Sequence, residues 1–193
     1  MNRAAFLDRD GVINRKAPEA GYVTCWEDMQ ILSGVPEAIA MLNQAGFQVI
    51  VVSNQRCVAK GLITINDLEA MHRRMCDTLA NAGARIDAIY YCPHEESAAC
   101  GCRKPLPGML LAAAQEHHID LLASWMIGDS DMDVLAGRNA GCRTVRLHSG
   151  LKKVENAEIV GSSLLDAIHK IFEQQGQPAA SPLKLSKTDF EGT

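Results

Sequence analysis

The sequence predicts an α/β fold: a Rossmann-like open parallel sheet with helices on both faces. Three observations predict it. Short apolar, often β-branched runs alternate with segments of helical periodicity along most of the chain. That alternation is what a parallel sheet requires, because each parallel pair needs a long, usually helical crossover. Polar residues stand where the runs end, at Asp8 and Asp10, Ser53 and Asn54, and Asp129. In open α/β sheets ligands bind beyond the carboxyl ends of the strands. The stretches Asn14–Val35 and Gln55–Ile65 are too short for a separate lid, so no large cap domain is expected.

Each element has its own signal. Ala4–Leu7 is a short apolar strand that ends at Asp8. Pro36–Gly46 reads as a helix, with proline near its start and glycine at its end. Phe47–Val52 is a buried β-branched strand. In Asn66–Gly83, Leu68, Met71, Met75 and Leu79 fall on one helical face. Ile86–Tyr91 is a third strand, Pro107–His118 a helix, and Trp125–Ile127 a fourth strand running into Gly128-Asp129. Asp131–Ala140 is helical, Thr144–Leu147 a fifth strand and Glu158–Val160 a short sixth. Leu164–Gln174 closes the pattern as an amphipathic helix. Residues 1–175 are expected to form one domain. The stretch 176–193, rich in Pro, Ser, Gly and Lys, is expected to be a flexible tail.

Composition narrows the function. The chain has 193 residues, enough for one sizeable core. Its net charge of −4 argues against nonspecific nucleic-acid binding, which draws on excess Lys and Arg. No apolar run reaches the roughly 18–20 residues that span a bilayer. The first residues lack the long apolar stretch of a signal peptide. A cytoplasmic, monomeric protein with a small-molecule partner, rather than nucleic acid or membrane, is the expectation.

Cys92, His94, Cys100 and Cys102 lie within eleven positions and run into Arg103-Lys104-Pro105. The spacing offers three thiolates and one imidazole, a full tetrahedral set for zinc. Free buried thiols leave His94 unexplained, and disulfides conflict with a reducing compartment. Four protein ligands leave no open position, so such a site is structural rather than catalytic. A nucleic-acid-binding finger is not expected, because the helix that follows is largely apolar. The remaining cysteines, Cys25, Cys57, Cys76 and Cys142, read as ordinary small residues.

Four further segments carry candidate chemistry, and each has an ordinary reading when taken alone. In Phe6-Leu7-Asp8-Arg9-Asp10-Gly11, two carboxylates two positions apart project to one side of an extended segment. There one can attack while the other exchanges protons, and both can serve Mg2+, a hard cation; Asp-Gly is also a turn signal. Ser53 and its neighbours can hold phosphate oxygens or sit in a plain loop. Arg103 and Lys104 suit phosphate groups or water. Asp129 can complete the metal site with Asp8 and a carbonyl of Asp10. Asp133, one turn later, can orient neighbours or simply favour a helix N-terminus.

Taken together, the order acid–x–acid, Ser, Lys and Asp at successive strand ends resembles the haloacid dehalogenase superfamily, over roughly residues 4 to 150. FLDRDGVIN, the C-x-H…C-x-C-R-K-P loop and PGM before a helix are similar to its branch of sugar-bisphosphate and histidinol phosphatases. The resemblance implies a phosphatase in which Asp8 attacks phosphorus to form an aspartyl-phosphate. Asp10 protonates the leaving oxygen and then activates water. It implies Mg2+ held by Asp8, Asp129 and the Asp10 carbonyl, with Ser53 and Lys104 on the transferring phosphoryl group. Asn54, Gln55 and Arg103 join Lys104 as substrate contacts, and Arg103 grips the far end. The implied substrate is a heptose 1,7-bisphosphate cleaved at C7; the alternatives are histidinol phosphate or a zinc-stabilised module without catalysis. Glu95 and Glu96 keep the cationic histidinol phosphate open. In three places the sequence departs from the family pattern. Ser53 stands for a frequent Thr, Arg56-Cys57 for Ser-Gly, and Ser130 for a Lys beside the metal aspartate, with Arg56 as the candidate to compensate. The zinc loop then becomes a brace that fixes Arg103 and Lys104.

Overall fold

The computed structural model describes residues 1–18, 21–147 and 157–176. The expected tail lies outside them, Gly176 excepted. Eleven elements alternate as β1 (Arg3–Leu7), α1 (Val35–Gln44), β2 (Phe47–Asn54), α2 (Ile65–Asn81), β3 (Ala88–Cys92), α3 (Gly108–Glu116), β4 (Trp125–Gly128), α4 (Asp131–Ala140), β5 (Arg143–Leu147), β6 (Ile159–Gly161) and α5 (Leu164–Gln174). The predicted elements are all present. Two boundaries move in a way that matters: β2 runs on through Ser53 and Asn54, and β3 ends on Cys92. Ser53, Asn54 and Cys92 are therefore the last rungs of strands rather than loop residues.

Among the described residues the six strands form one parallel sheet in the order β3-β2-β1-β4-β5-β6. The order reverses at β1, so the crevice between the loops after β1, β2 and β4 is the topological switch point. Strand periodicity sorts the core into two layers. Ala5 and Leu7 of β1, Val49 and Val51 of β2, and Trp125 and Ile127 of β4 face one cluster, with α1, α2 and α5. Ala4 and Phe6, Ile50 and Val52, and Met126 face the other, with α3 and α4. The central strands are buried on both faces, which explains why they read as unbroken apolar runs.

Local chemistry fixes the helix starts. Thr64 and Asp67 close a reciprocal capping box on α2, Asp67 accepting from the Thr64 backbone and Thr64 from the Asp67 backbone. Pro36 sits in the first turn of α1. Ser163 accepts from the Asp166 N–H at the start of α5. Among the described residues no helix is long and apolar enough to cross a membrane.

Candidate active site

Residues from four segments meet over the carboxyl edge of β1, β2 and β4, around a cavity of about 350 Å³. Asp8 follows the last residue of β1 and donates its backbone N–H to Ile127 O of β4. Lys104, 3% exposed in side chain, places Nζ 2.8 Å from Asp8 Oδ1 and 2.6 Å from Asp133 Oδ1. It also donates to Val52 O at 2.8 Å. Burial pushes the Asp8 carboxyl up to about 7; Lys104 opposes the rise and Asp133 adds to it. Lys104 stays charged, since its two carboxylates outweigh burial and hold it up at about 12.

The sequence alone left Asp133 between two roles, and it performs both. Its Oδ2 accepts from the Ser130 backbone at 2.9 Å and from the Ser130 hydroxyl, closing the first turn of α4. Its Oδ1 faces Lys104. Asp8, Asp129 and Asp133 each bring a carboxylate oxygen within 4.8 Å of the others. Two glycines permit that crowding. A Cβ on Gly11, whose φ is +94°, would overlap the Asp129 carboxylate, and one on Gly128 would overlap Asp133.

Asp10 is held differently. Arg9 Nε and Nη2 donate to Asp10 Oδ1 at 3.3 and 3.0 Å, and Nη2 reaches Oδ2 at 2.9 Å. Asn14 Nδ2 donates to Oδ1 at 2.9 Å and Gln55 Nε2 to Oδ2 at 3.0 Å. Burial of Asp10 favours its neutral form, but the Arg9 charge and these hydrogen bonds outweigh it and hold the carboxyl below its usual range. Gln55 also donates to Ser53 Oγ at 2.7 Å, tying Asp10 to β2.

Asn54 does not point its amide groups freely into the crevice. Its Nδ2 donates to Lys104 O and its Oδ1 accepts from Lys104 N–H, both at 3.1 Å, so it clamps the lysine backbone to β2. The Lys104–Pro105 peptide is cis. Arg103 lines the outer rim and donates to Glu96 Oε1 at 3.2 Å and to His94 O at 3.5 Å.

Arg56 does not take the place of a lysine beside Asp129. Its Nε donates to the Tyr22 hydroxyl at 2.9 Å and its Nη1 to Glu96 at 3.3 Å, with Glu95 at 3.8 Å. Glu96 therefore bridges Arg56 and Arg103 across the outer pocket. The cation at Asp129 is Lys16, whose Nζ lies 3.1 and 3.0 Å from the two carboxylate oxygens. Nothing in the local sequence marks Lys16; only the fold of the loop after β1 brings it there.

The second cluster is the expected one. Cys92 Sγ lies 3.6 Å from His94 Nδ1 and 3.5 Å from Cys100 Sγ, and His94 Nδ1 lies 3.3 Å from Cys102 Sγ. Ligands placed tetrahedrally about 2.0–2.3 Å from a zinc ion stand about 3.3–3.8 Å apart, so the donor set fits that ion. The three aspartates offer only oxygen, which fits a hard cation such as Mg2+. All seven cysteines are unbridged.

A parallel sheet of this order, with paired carboxylates after β1 and a buried lysine and further aspartates converging on them, defines a hydrolase of the haloacid dehalogenase type. The comparisons agree. The family model HAD-hydrolase-like matches residues 101–168. The D-glycero-D-manno-heptose-1,7-bisphosphate 7-phosphatase of Thermosynechococcus vestitus is 40% identical over 158 residues, covering 76% of this chain and 79% of that one. The D-glycero-beta-D-manno-heptose-1,7-bisphosphate 7-phosphatase of Escherichia coli is 38% identical over 185 residues, covering 89% and 95%. The D,D-heptose 1,7-bisphosphate phosphatase of B. bronchiseptica, solved with magnesium and phosphate, superposes with a TM-score of 0.80 at 32% identity, covering 89% of this chain and 99% of that one. The chain belongs to the haloacid dehalogenase superfamily and, within it, to the family of these phosphatases; it is a phosphoric monoester hydrolase.

Removing a partner from a buried ion pair leaves its charge uncompensated. Asp133→Ala should therefore lower the unfolding free energy by about 3 kcal/mol. Urea denaturation reads the change. An unmoved midpoint would mean that Asp8 and Val52 O satisfy Lys104 by themselves.

Proposed function

We propose that the protein is a Mg2+-dependent phosphatase that removes the C7 phosphate of D-glycero-D-manno-heptose 1,7-bisphosphate through an aspartyl-phosphate. The observation that carries this reading is the convergence of Asp8, Lys104, Asp129 and Asp133 beside the Arg9-held Asp10, in a chain of this family. Residues 1–175 act as one catalytic unit, working as a monomer in the cytoplasm.

Asp8 is the nucleophile, and its carboxylate attacks phosphorus in line with the ester oxygen. Asp10, ionised before substrate binds, takes up the proton that the phosphate ester brings as its monoanion, gives it to that oxygen as the P–O bond breaks, then takes a proton from the water that cleaves the aspartyl-phosphate. Ser53 and Lys104 hold the phosphoryl oxygens, with Gln55 orienting Ser53 and Asn54 fixing Lys104. Asp8, Asp129 and the Asp10 carbonyl are the ligands for Mg2+, which, when bound, neutralises charge between carboxylate and phosphate and favours the ionised form of Asp8. Stabilising that charge is most of the work in phosphoryl transfer. Lys16 and Asp133 add a cation and an anion to the same balance.

Arg103 is assigned to the distal phosphate, with Arg56 beside it. Glu95 and Glu96, the groups that suit a cationic substrate such as histidinol phosphate, are paired with these arginines. That pairing favours an anionic distal group. Cys92, His94, Cys100 and Cys102 hold a structural Zn2+ that braces the loop carrying Arg103 and Lys104.

Three measurements test the reading. Phosphate release should be fastest, in kcat/KM, from heptose 1,7-bisphosphate, ahead of fructose 1,6-bisphosphate and histidinol phosphate; preference for histidinol phosphate would overturn the substrate assignment. Asp8→Asn should lose at least about 10³-fold in kcat while still folding, since no nucleophile remains. Near-normal release would remove Asp8 from that role. Chelating the zinc should lower stability and raise KM together; a zinc-free protein with full kcat/KM would show that the loop holds its shape unaided.

A further inference from the structure

One buried group near the site has no part in the chemistry above. His72 lies on the inner face of α2, 4% exposed. Its Nε2 is 3.2 Å from Arg9 Nη1. A guanidinium only donates, so Nε2 must present its lone pair and the ring proton must sit on Nδ1. Burial, reinforced by the Arg9 charge and opposed by Asp10, pushes the His72 pKa down to about 3, so the ring is neutral at physiological pH. The ring packs against Tyr91 of β3, centroids 5.7 Å apart, and the Tyr91 hydroxyl donates to Glu69 of the same helix at 2.8 Å. The imidazole is thereby held from behind, and its acceptor faces Arg9.

Arg9 itself is 1% exposed. One edge of its guanidinium forks onto Asp10, and the remaining nitrogen, Nη1, meets His72. We infer that His72 is a positioning residue: by accepting from Arg9 it fixes the guanidinium plane, and that plane fixes the direction in which Asp10 presents its carboxyl to the leaving oxygen. The inference rests on the reading of Asp10 as proton donor. A buried Nη1 without an acceptor would pull Arg9 toward another partner, because leaving it unpaired costs more than moving it. Asn14 and Gln55 each bind one oxygen of Asp10, and neither controls the plane of the carboxyl as a two-point guanidinium fork does.

The expected signature is a loss that depends on the leaving group. A sugar alkoxide must be protonated as it departs, whereas 4-nitrophenolate leaves as the anion. The test compares His72→Met with His72→Gln, similar in volume but differing in the acceptor. His72→Met should lose about tenfold or more in kcat/KM on the alkyl phosphate turned over fastest in the comparison above, and less than about threefold on 4-nitrophenyl phosphate. His72→Gln should recover most of the alkyl-phosphate loss. If either variant fails to fold, His72→Leu and His72→Asn supply the same contrast. Asp10→Asn sets the full size of the leaving-group effect. Equal losses on both esters, or no rescue by the amide, overturn the role of His72 alone. An Asp10→Asn variant without leaving-group selectivity overturns the proton-donor reading and this inference with it.

Discussion

The pairing of one buried ammonium organises the molecule. Lys104 reaches the interior only because Asp8, Asp133 and the Val52 carbonyl are there to receive it. A buried lysine without such partners would lose its charge or destabilise the fold. Each partner comes from a different place: the end of β1, the first turn of α4 and the end of β2. The lysine is delivered by the loop that carries the cysteines and His94. Four segments must agree in position to within a hydrogen bond, and the parallel sheet is what brings their ends to one edge. Asn54 adds the last restraint by bonding both backbone groups of Lys104.

Around that centre the charges are arranged by distance from solvent. The innermost pair is Lys104 and Asp133, 3% and 1% exposed in side chain; Arg9 is as well covered, but its partner Asp10 keeps 24% of its side chain open to the crevice. Lys104 and its two carboxylates form the floor. Lys16 on Asp129 and the Arg56–Glu96–Arg103 bridge lie at the mouth, where their pairs are weaker and exchangeable. An anionic substrate entering such a site exchanges partners with the outer pairs first and meets fixed groups only at the end.

Most of the architecture was legible because strand burial writes itself into composition. Phe47–Val52 had no alternative as an apolar β-branched run, and the polar residue after each run marked the edge where ligands bind. The cysteine–histidine spacing was legible for a similar reason: its ligands are close in sequence. What escaped depended on convergence between distant segments. Asp133 looked like a helix cap, and it is one, yet its other oxygen meets a lysine 29 positions away that no local pattern connects to it. Arg56 was expected beside Asp129, but the loop turns it toward Tyr22, while Lys16 takes that place. Arg9 entered the sequence reading only as part of the acidic motif, and His72 did not enter it. Their contact spans 63 positions, and a histidine on an apolar helix face usually signals nothing more than a buried ring.

The two glycines at the floor have a consequence for how this protein can change over evolutionary time. Every substitution at Gly11 or Gly128 adds a Cβ, and at both places that atom would overlap a carboxylate. Neither position has a permissive neighbour through which a lineage can drift. The rim is the opposite case: Lys16, Arg56 and Glu96 are solvent-facing ends of long side chains whose replacement leaves the core untouched. Variation is channelled outward, so descendants of this chain can trade one phosphate ester for another while the reacting centre stays fixed by atoms that are missing.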